Sequence, residues 1–431
     1  VEKMGLTVIK QTKYPQTVAR NIRFSSEELH RTFLLRHLRE DGYGLICAEG
    51  EEYVCPLADK TKGFYATEDQ LYSYCTNTLL YHNTSDNPKR YPEISLPVKI
   101  FTYFNAEGNA EKYVLSQDHI SHITDTGVMY RYGKNKGGPC ATIFKERIFS
   151  ARDNYVFFTA PLAAKDWKET RYGGGQIELP SLDGKFIGVG SLHDQLYFFR
   201  EHGIMHLRVL GDELNFKATP LNYGAGNIYP STVAECGDRI LFFTEGWLYE
   251  FNGSRCERQE NSLFEQIEGQ PRGAVAYQGK YYALCTHRTF GDCLYCFESR
   301  TGKGHFVFTE AVYLASGWGV FCAGTTNSYR LTERGLPHAG EMQIAGELSN
   351  FGLGESDKSF DGITIEGEGE FEVTGRTEYG VPYTVSGAAG EKLRFPMSLR
   401  GKKLALDVKC ADENVRIKAL TVHLTEVKND D

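Results

Sequence analysis

Asp194-Gln-Leu-Tyr-Phe-Phe-Arg-Glu-His-Gly-Ile-Met-His-Leu207 and Asp238-Arg-Ile-Leu-Phe-Phe-Thr-Glu-Gly-Trp-Leu-Tyr-Glu-Phe251 say the same thing twice within residues 184–253. Each is a run of aliphatic and aromatic residues, a tight turn at Glu-His-Gly or Glu-Gly, and a second apolar run. Strongly apolar positions on both sides of such a turn mark a β-hairpin. A hairpin that recurs after about forty residues points to an array of β units rather than one sheet.

The same pattern extends in both directions. Asp69-Gln-Leu-Tyr72 turns through Asn77-Thr into Leu79-Leu-Tyr81. Lys112-Tyr-Val-Leu115 precedes Gly127-Val-Met-Tyr-Arg-Tyr132, and Glu146-Arg-Ile-Phe149 precedes Tyr155-Val-Phe-Phe-Thr159. Downstream come Gly279–Cys285 with Asp292–Phe297, and Gly319–Cys322 with Ser328–Leu331. The anchors near positions 70, 112, 147, 195, 239, 280 and 320 match the length of a four-stranded propeller blade. The expected architecture is all-β, a six- or seven-bladed β-propeller over residues 43–340. A hairpin at Tyr43–Pro56, turning about Glu49-Gly-Glu51, lies outside the blade count and could supply outer strands that close the ring with the last blade. Alternation is imperfect, as expected for strands buried on both faces between stacked blades.

Before the array, Ser25-Ser-Glu-Glu28 has the capping-box pattern, and Leu29, Phe33, Leu34 and Leu38 follow at helical spacing. This predicts one helix over 26–39 in an N-terminal segment 1–42, after short β-prone pieces such as Leu6–Ile9. Past Gly335-Leu-Pro the texture becomes cleaner alternation, as in Ile363–Gly369, Glu370–Thr374, Leu404–Cys410 and Val415–Leu424. One polar face per strand predicts a separate antiparallel, β-sandwich-like domain over 341–431. Its first strand, near Glu341–Gly352, could instead belong to the ring.

Composition agrees with this fold. The 431 residues include 26 Tyr, 26 Phe and 45 Gly, which suit pleated surfaces and turns better than helix bundles. A formal net charge of -8 leaves no electrostatic footprint for nucleic acid. No apolar run approaches the roughly eighteen residues of a membrane helix. Val1-Glu-Lys-Met-Gly shows no charged start followed by an apolar run, so no signal peptide is expected. The eleven cysteines are an odd number, mostly inside strand-like runs, and read as buried free thiols of a reducing compartment.

No catalytic, cofactor or metal constellation emerges. Cys293-Leu-Tyr-Cys296 lies in a strand, where residues three apart point to opposite faces, and no second Cys pair follows at zinc-ribbon spacing. His119-Ile-Ser-His122 lacks a third ligand nearby. Gly133–Gly138 and Arg171–Gly175 are glycine-rich without phosphate-loop spacing, and turns explain their glycines. Ser181-Leu-Asp-Gly184 is only a fragment of a sialidase aspartate box and does not repeat. The 56 acidic residues single out no glycosidase pair. His202, His206 and Trp247 sit at or just after hairpin turns and read as edge packing. Within the polar insertion 163–184, Trp167, Arg171 and Tyr172 are the residues suited to an interface; for Trp167 the competing reading is packing back over its blade.

Ala141-Thr-Ile-Phe-Lys-Glu-Arg-Ile-Phe-Ser-Ala-Arg-Asp-Asn-Tyr-Val-Phe-Phe-Thr-Ala-Pro161 with Asp166-Trp167, continued by Leu182–Val189, Gln195–Ile204 and Phe242–Tyr249, resembles a segment of tailed-phage and prophage structural proteins. The resemblance covers residues 140–425 and rests on short, aromatic-rich motifs. It implies a non-enzymatic propeller subunit of the tail, neck or nozzle with a C-terminal β domain. Its partners would be other virion proteins and copies of itself in a cyclic oligomer, assembled in the bacterial cytoplasm. It carries over no functional residue and no cofactor. The alternative is a carbohydrate-binding or glycan-cleaving β-propeller, since such rings gather aromatics around a polar mouth.

Overall fold

A computed structural model describes residues 16–428, apart from 83–87, 125, 127–128, 171–172, 180–182, 211–215, 222–225, 261, 334–341, 350–356 and 397–398. Leu6–Ile9, Arg171, Tyr172, Ser181, Leu182 and Glu341 therefore lie outside the described residues. Among the described residues the chain is all-β except for one short α-helix and a 3-10 turn at Ser262–Gln266. It divides into two compact units, residues 49–340 and residues 1–48 with 341–431.

The 49–340 unit contains seven four-stranded antiparallel sheets among its described residues. Six are meanders formed by consecutive strands. Their first strands are Thr61–Ala66, Pro97–Phe104, Cys140–Phe144, Phe186–Leu192, Ala234–Cys236 and Ile267–Tyr277; the seventh sheet begins at Tyr313–Ser316. These first strands pack against one another in sequence order, and Tyr313–Ser316 also packs against Thr61–Ala66. This is propeller-type architecture. Each of the seven anchor positions found in the sequence falls on or beside the second strand of a different sheet.

The Phe-Phe repeats explain how sheet stacks on sheet. Neighbouring residues in a strand face opposite ways. Accordingly Phe157 packs with the second sheet's Phe101 and Tyr113, and Phe158 with the fourth sheet's Phe198. Phe199 then meets Phe242 of the fifth sheet, and Phe243 meets Tyr281 and Tyr295 of the sixth. One dipeptide thus serves two interfaces, which is why these strands lack a polar face. Tyrosine hydroxyls add directional ties between adjacent sheets. Tyr65 donates to the Pro97 carbonyl (2.6 Å), Tyr103 to Glu146 (2.8 Å), Tyr281 to Thr232 (2.6 Å) and Tyr277 to Trp318 (2.9 Å). Tyr197 reaches Gly253 (3.4 Å), and Tyr313 joins the seventh sheet to the Thr61 carbonyl of the first (3.0 Å). Each such bond contributes about 1 kcal/mol.

Several hairpin turns have positive φ at both central residues, as at Thr76-Asn77, Lys145-Glu146, His193-Asp194, Glu245-Gly246 and Gln278-Gly279. That is the turn whose twist matches the flanking strands.

The expected Tyr43–Pro56 hairpin does not form. Leu45–Cys47 pairs with Leu38–Glu40, whereas Gly50–Pro56 pairs antiparallel with Asn327–Thr332 as the fourth strand of the seventh sheet. The chain passes from one unit to the other between Ala48 and Glu49, so the two runs pair in different units. The downstream half does supply an outer strand to the last sheet, as the sequence suggested.

The second unit has a seven-stranded and a five-stranded antiparallel sheet around one core. Phe360, Ile363, Leu420 and Val422 face it from the first sheet; Ile344, Val373, Leu406 and Val408 face it from the second. The N-terminal segment is part of this unit rather than a piece of its own, because Gln16–Ser25 pairs along its whole length with the last strand, Arg416–Lys428. Met342–Leu348 pairs with Leu404–Cys410 and so belongs here, not to the ring.

The helix is shorter than its spacing predicts. It runs only from Ser26 to Thr32, with the Ser25–Glu28 capping box in place, and Phe33 is already extended. Leu29 and Phe33 are buried as expected, but Leu34–Arg36 joins one sheet and Leu38–Glu40 the other. The helical spacing of the leucines is equally usable by two short strands, and sheet pairing outweighs the weak local preference. Among the described residues, no helix is long and apolar enough to cross a membrane.

All eleven cysteines are free thiols, and all but Cys55, Cys75 and Cys256 are buried. Burial pushes the Cys256 thiol up to about 12 and raises Cys55 as well. Native protein should therefore show at most three thiols that react with a disulfide reagent before unfolding, with the eight buried ones reacting only on unfolding. More than three thiols reacting in the folded protein would contradict this burial pattern.

Candidate functional site

In the 49–340 unit, the first strands of all seven sheets line one cavity of about 650 Å³. Val98, Val189, Val233, Val275 and Leu314 are among the residues that line it. Four charged side chains line it as well: Lys62, Lys99, Arg272 and Glu235.

The three cations share a structural cause. In each of their strands the ladder to the second strand slips at that level, between Thr61 and Gly63, between Pro97 and Lys99, and between Glu268 and Gly273. The fourth sheet slips likewise between Phe186 and Gly188. A bulge bends its strand and re-aims the side chain it carries. Lys62 is itself a bulged residue, Lys99 follows one, and Arg272 ends one. Lys99 Nζ lies 3.3 Å from the Ala141 carbonyl, and Arg272 lies 3.2 Å from Asp292. The Glu235 carboxylate accepts from the Ser191 backbone N–H (2.7 Å) and hydroxyl (3.2 Å). With Glu235 committed to Ser191 and Arg272 paired with Asp292, Lys62 and Lys99 leave the cavity with an excess of positive charge that favours an anionic group.

Close approach narrows the wall at Gly188, where a Cβ would lie 2.7 Å from the Val233 side chain. Any larger residue there would separate the fourth and fifth sheets.

A second cluster in this unit is buried. Glu49, just before Gly50–Pro56, places its carboxylate 2.5 Å from His305 Nε2 and 3.2 Å from Lys280 Nζ. Cys296 Sγ completes a group whose donor atoms all lie within 4.8 Å of one another. Cys296 and His305 are register partners on adjacent strands of the sixth sheet. Burial alone would raise the Glu49 carboxyl; His305 and Lys280 outweigh it and hold it well below the usual carboxylate range.

The residues singled out from sequence fall as follows. Trp167, expected as an interface anchor, is only 9% exposed and packs between the second and third sheets with Phe101, Tyr113 and Ile148. It takes the second of its two readings, because a large ring beside such apolar neighbours gains more from burial than from exposure. Arg171 and Tyr172 lie outside the described residues. His206 stacks on Tyr197 (5.1 Å) with Nε2 on Gln195, and Trp247 packs edge-on to Phe264 under the Arg258 guanidinium. Cys293 and Cys296 diverge as strand geometry requires: Cys293 sits opposite Cys285 in one core cluster, and Cys296 faces Glu49 and His305. His119 meets Asp118, whereas His122 stacks with Tyr113. The channel cations and Glu49 escaped the sequence reading. Bulge positions leave no pattern in residue types, and Glu49 and His305 are far apart in the chain.

The histidines carry a pH consequence. Burial lowers the pKa of His82, His206, His287 and His423. His287 Nδ1 accepts the Thr289 and Phe290 N–H groups while Nε2 meets Gln266, which suits a neutral ring. A lowered folded pKa means that the native chain binds fewer protons than the unfolded chain. Stability is then complete above about pH 6.5 and falls as pH drops toward the depressed values. Urea midpoints should be lower at pH 5.5 than at pH 7.5; a higher midpoint at pH 5.5 contradicts this.

No protein-family model matches the chain, and no curated protein matches it in sequence. Its backbone is similar to that of a streptogramin B lyase, at 12% identity over 71% of this chain and 99% of that one, with a TM-score of 0.48. It is also similar to PorZ, a surface component of the type-IX secretion system of Porphyromonas gingivalis, at 12% identity over 80% of this chain and 48% of that one (TM-score 0.45). The N-terminal domain of Nup159 is similar at 9% identity over 70% of this chain and 99% of that one (TM-score 0.43).

Proposed function

We propose that this chain is a non-enzymatic structural protein of a phage or prophage virion, in which a closed seven-bladed β-propeller acts as a rigid assembly module of the tail or neck. On this reading the seven sheets are the blades, the strand Gly50–Pro56 fastens the last of them, and the channel seats an acidic segment of a neighbouring virion protein. The observation that carries it is the set Lys62, Lys99 and Arg272, brought into one channel by strand bulges at a common level. Built electropositive concavities favour anionic partners and speed their encounter. The hydroxyl ties between sheets support the rigid role, and the phage-like motifs of residues 140–425 support the virion context. Assembly in the bacterial cytoplasm and a cyclic homo-oligomer belong to the same proposal.

Two experiments test it. Mass spectrometry of particles induced from the source strain should find the chain in purified virions; its absence there sinks the virion role. Reversing Lys62, Lys99 and Arg272 together to Glu should weaken partner capture by about tenfold or more and flatten its salt dependence. Unchanged capture would remove the channel from the proposal. A glycan array and hydrolysis screen address the carbohydrate alternative, which a positive result in either would favour.

A further inference from the structure

Outside the channel, the sixth sheet carries a second arrangement with its own chemistry. Cys296 and His305 stand directly opposite each other on Gly291–Glu298 and Lys303–Phe308, so the ladder itself holds a sulfur and an imidazole nitrogen on one face. Glu49 comes from a distant part of the chain and brings a carboxylate to that pair, with its side chain 3% exposed. The three donor atoms lie within 4.8 Å of one another. Sulfur, nitrogen and oxygen donors converging from rigid elements are what a borderline-soft divalent cation prefers, and three protein ligands leave a fourth tetrahedral position for water.

We propose that Glu49, Cys296 and His305 form a binding site for one tetrahedral divalent cation of the zinc class. The ion takes the place of the proton between Glu49 Oε2 and His305 Nε2, now 2.5 Å apart, and that proton leaves to solvent. The Cys296 thiol releases its proton to solvent and binds as thiolate, since the thiolate is the ligating form. Lys280, 3.2 Å from the other oxygen, Oε1, keeps that contact and orients the carboxylate from outside the coordination sphere. The His305 side chain is 12% exposed and that of Lys280 27%, which leaves a path to solvent. Because Glu49 leads directly into Gly50–Pro56, a bound ion would tie the strand that completes the seventh sheet to the sixth.

The test uses the full chain, stripped with a chelator, returned to metal-free buffer and titrated with Co²⁺ under reducing conditions. One Co²⁺ per chain should bind, with a thiolate-to-metal band in the near ultraviolet and visible bands of tetrahedral intensity, all displaced by Zn²⁺. Cys296→Ser should lose the near-ultraviolet band, and His305→Gln should weaken binding about tenfold or more. A Zn²⁺-dependent rise in the wild-type unfolding midpoint, absent in both variants, provides a readout that does not depend on either variant's spectrum. Failure of the folded wild-type chain to bind one Co²⁺, or a band retained in Cys296→Ser and so arising from another thiol, overturns the proposal.

Discussion

Replacing Gly317 with alanine should lower the unfolding midpoint of the 49–340 unit by about 10 °C. Gly317 follows the first strand of the seventh sheet, and a Cβ there would fall on the Thr67 carbonyl oxygen of the first sheet, with the Ala66 Cβ 3.2 Å away. Neither backbone is free to yield. Gly317 N donates to Gly319 O (2.9 Å), and Thr67 N to Gln70 O (2.9 Å), so both sides are held by their own hairpins. The glycine has no positive φ, and the cost is therefore one of contact rather than of backbone conformation. Forcing a methyl group into such a contact costs roughly 3 kcal/mol, at about 2–4 °C of midpoint per kcal/mol for a domain of this size. Gly279→Ala is the control, since no atom lies within 4 Å of its Cβ position, although its positive φ carries a smaller strain of its own. A shift below about 2 °C in Gly317→Ala would mean that the seventh and first sheets are not in close contact, and the ring would not be closed there.

Glu49→Ala should be nearly as damaging, at roughly 2–4 kcal/mol. Removing one partner of a buried ionic cluster leaves the others desolvated without compensation. Lys280 can swing toward water, which places the expected loss below the upper end for fully buried pairs. Glu49→Gln keeps the shape and an acceptor oxygen and should cost less. A double-mutant cycle with Lys280→Met separates the pair from the packing: a coupling near zero would show that the carboxylate acts through packing alone. Denaturant midpoints in metal-free buffer measure this loss apart from any contribution of a bound cation.

Both effects bear on the seventh sheet, which residues remote in the chain complete and pack against. Gly50–Pro56 pairs with Asn327–Thr332, and Glu49 beside it reaches across to the sixth sheet. A meander alone would leave the seventh sheet with three strands and an open edge on Asn327–Thr332, which is the liability that an added strand removes. The same arrangement makes the Ala48–Glu49 junction a point where changes should disturb the whole 49–340 unit rather than one strand.

The repeat, the all-β class and the alternating C-terminal strands were legible from residue order alone, because strand periodicity and turn chemistry are local properties. Asp194–Leu207 and Asp238–Phe251 carry their hairpins in themselves, and the Phe-Phe pairs announce strands buried on both faces. What needed the tertiary structure was everything set by a distant partner. Leu34 and Leu38 have helical spacing yet lie in strands, because Gln343–Ala345 and Leu45–Cys47 are there to pair with them. Trp167 looks like an exposed anchor until Phe101 and Ile148 are seen around it. The channel cations depend on ladder slips that no residue type marks, and the Glu49–Cys296–His305 group joins positions about 250 residues apart. Periodicity along one strand records which face is apolar, but it holds no information about which other strand will cover that face.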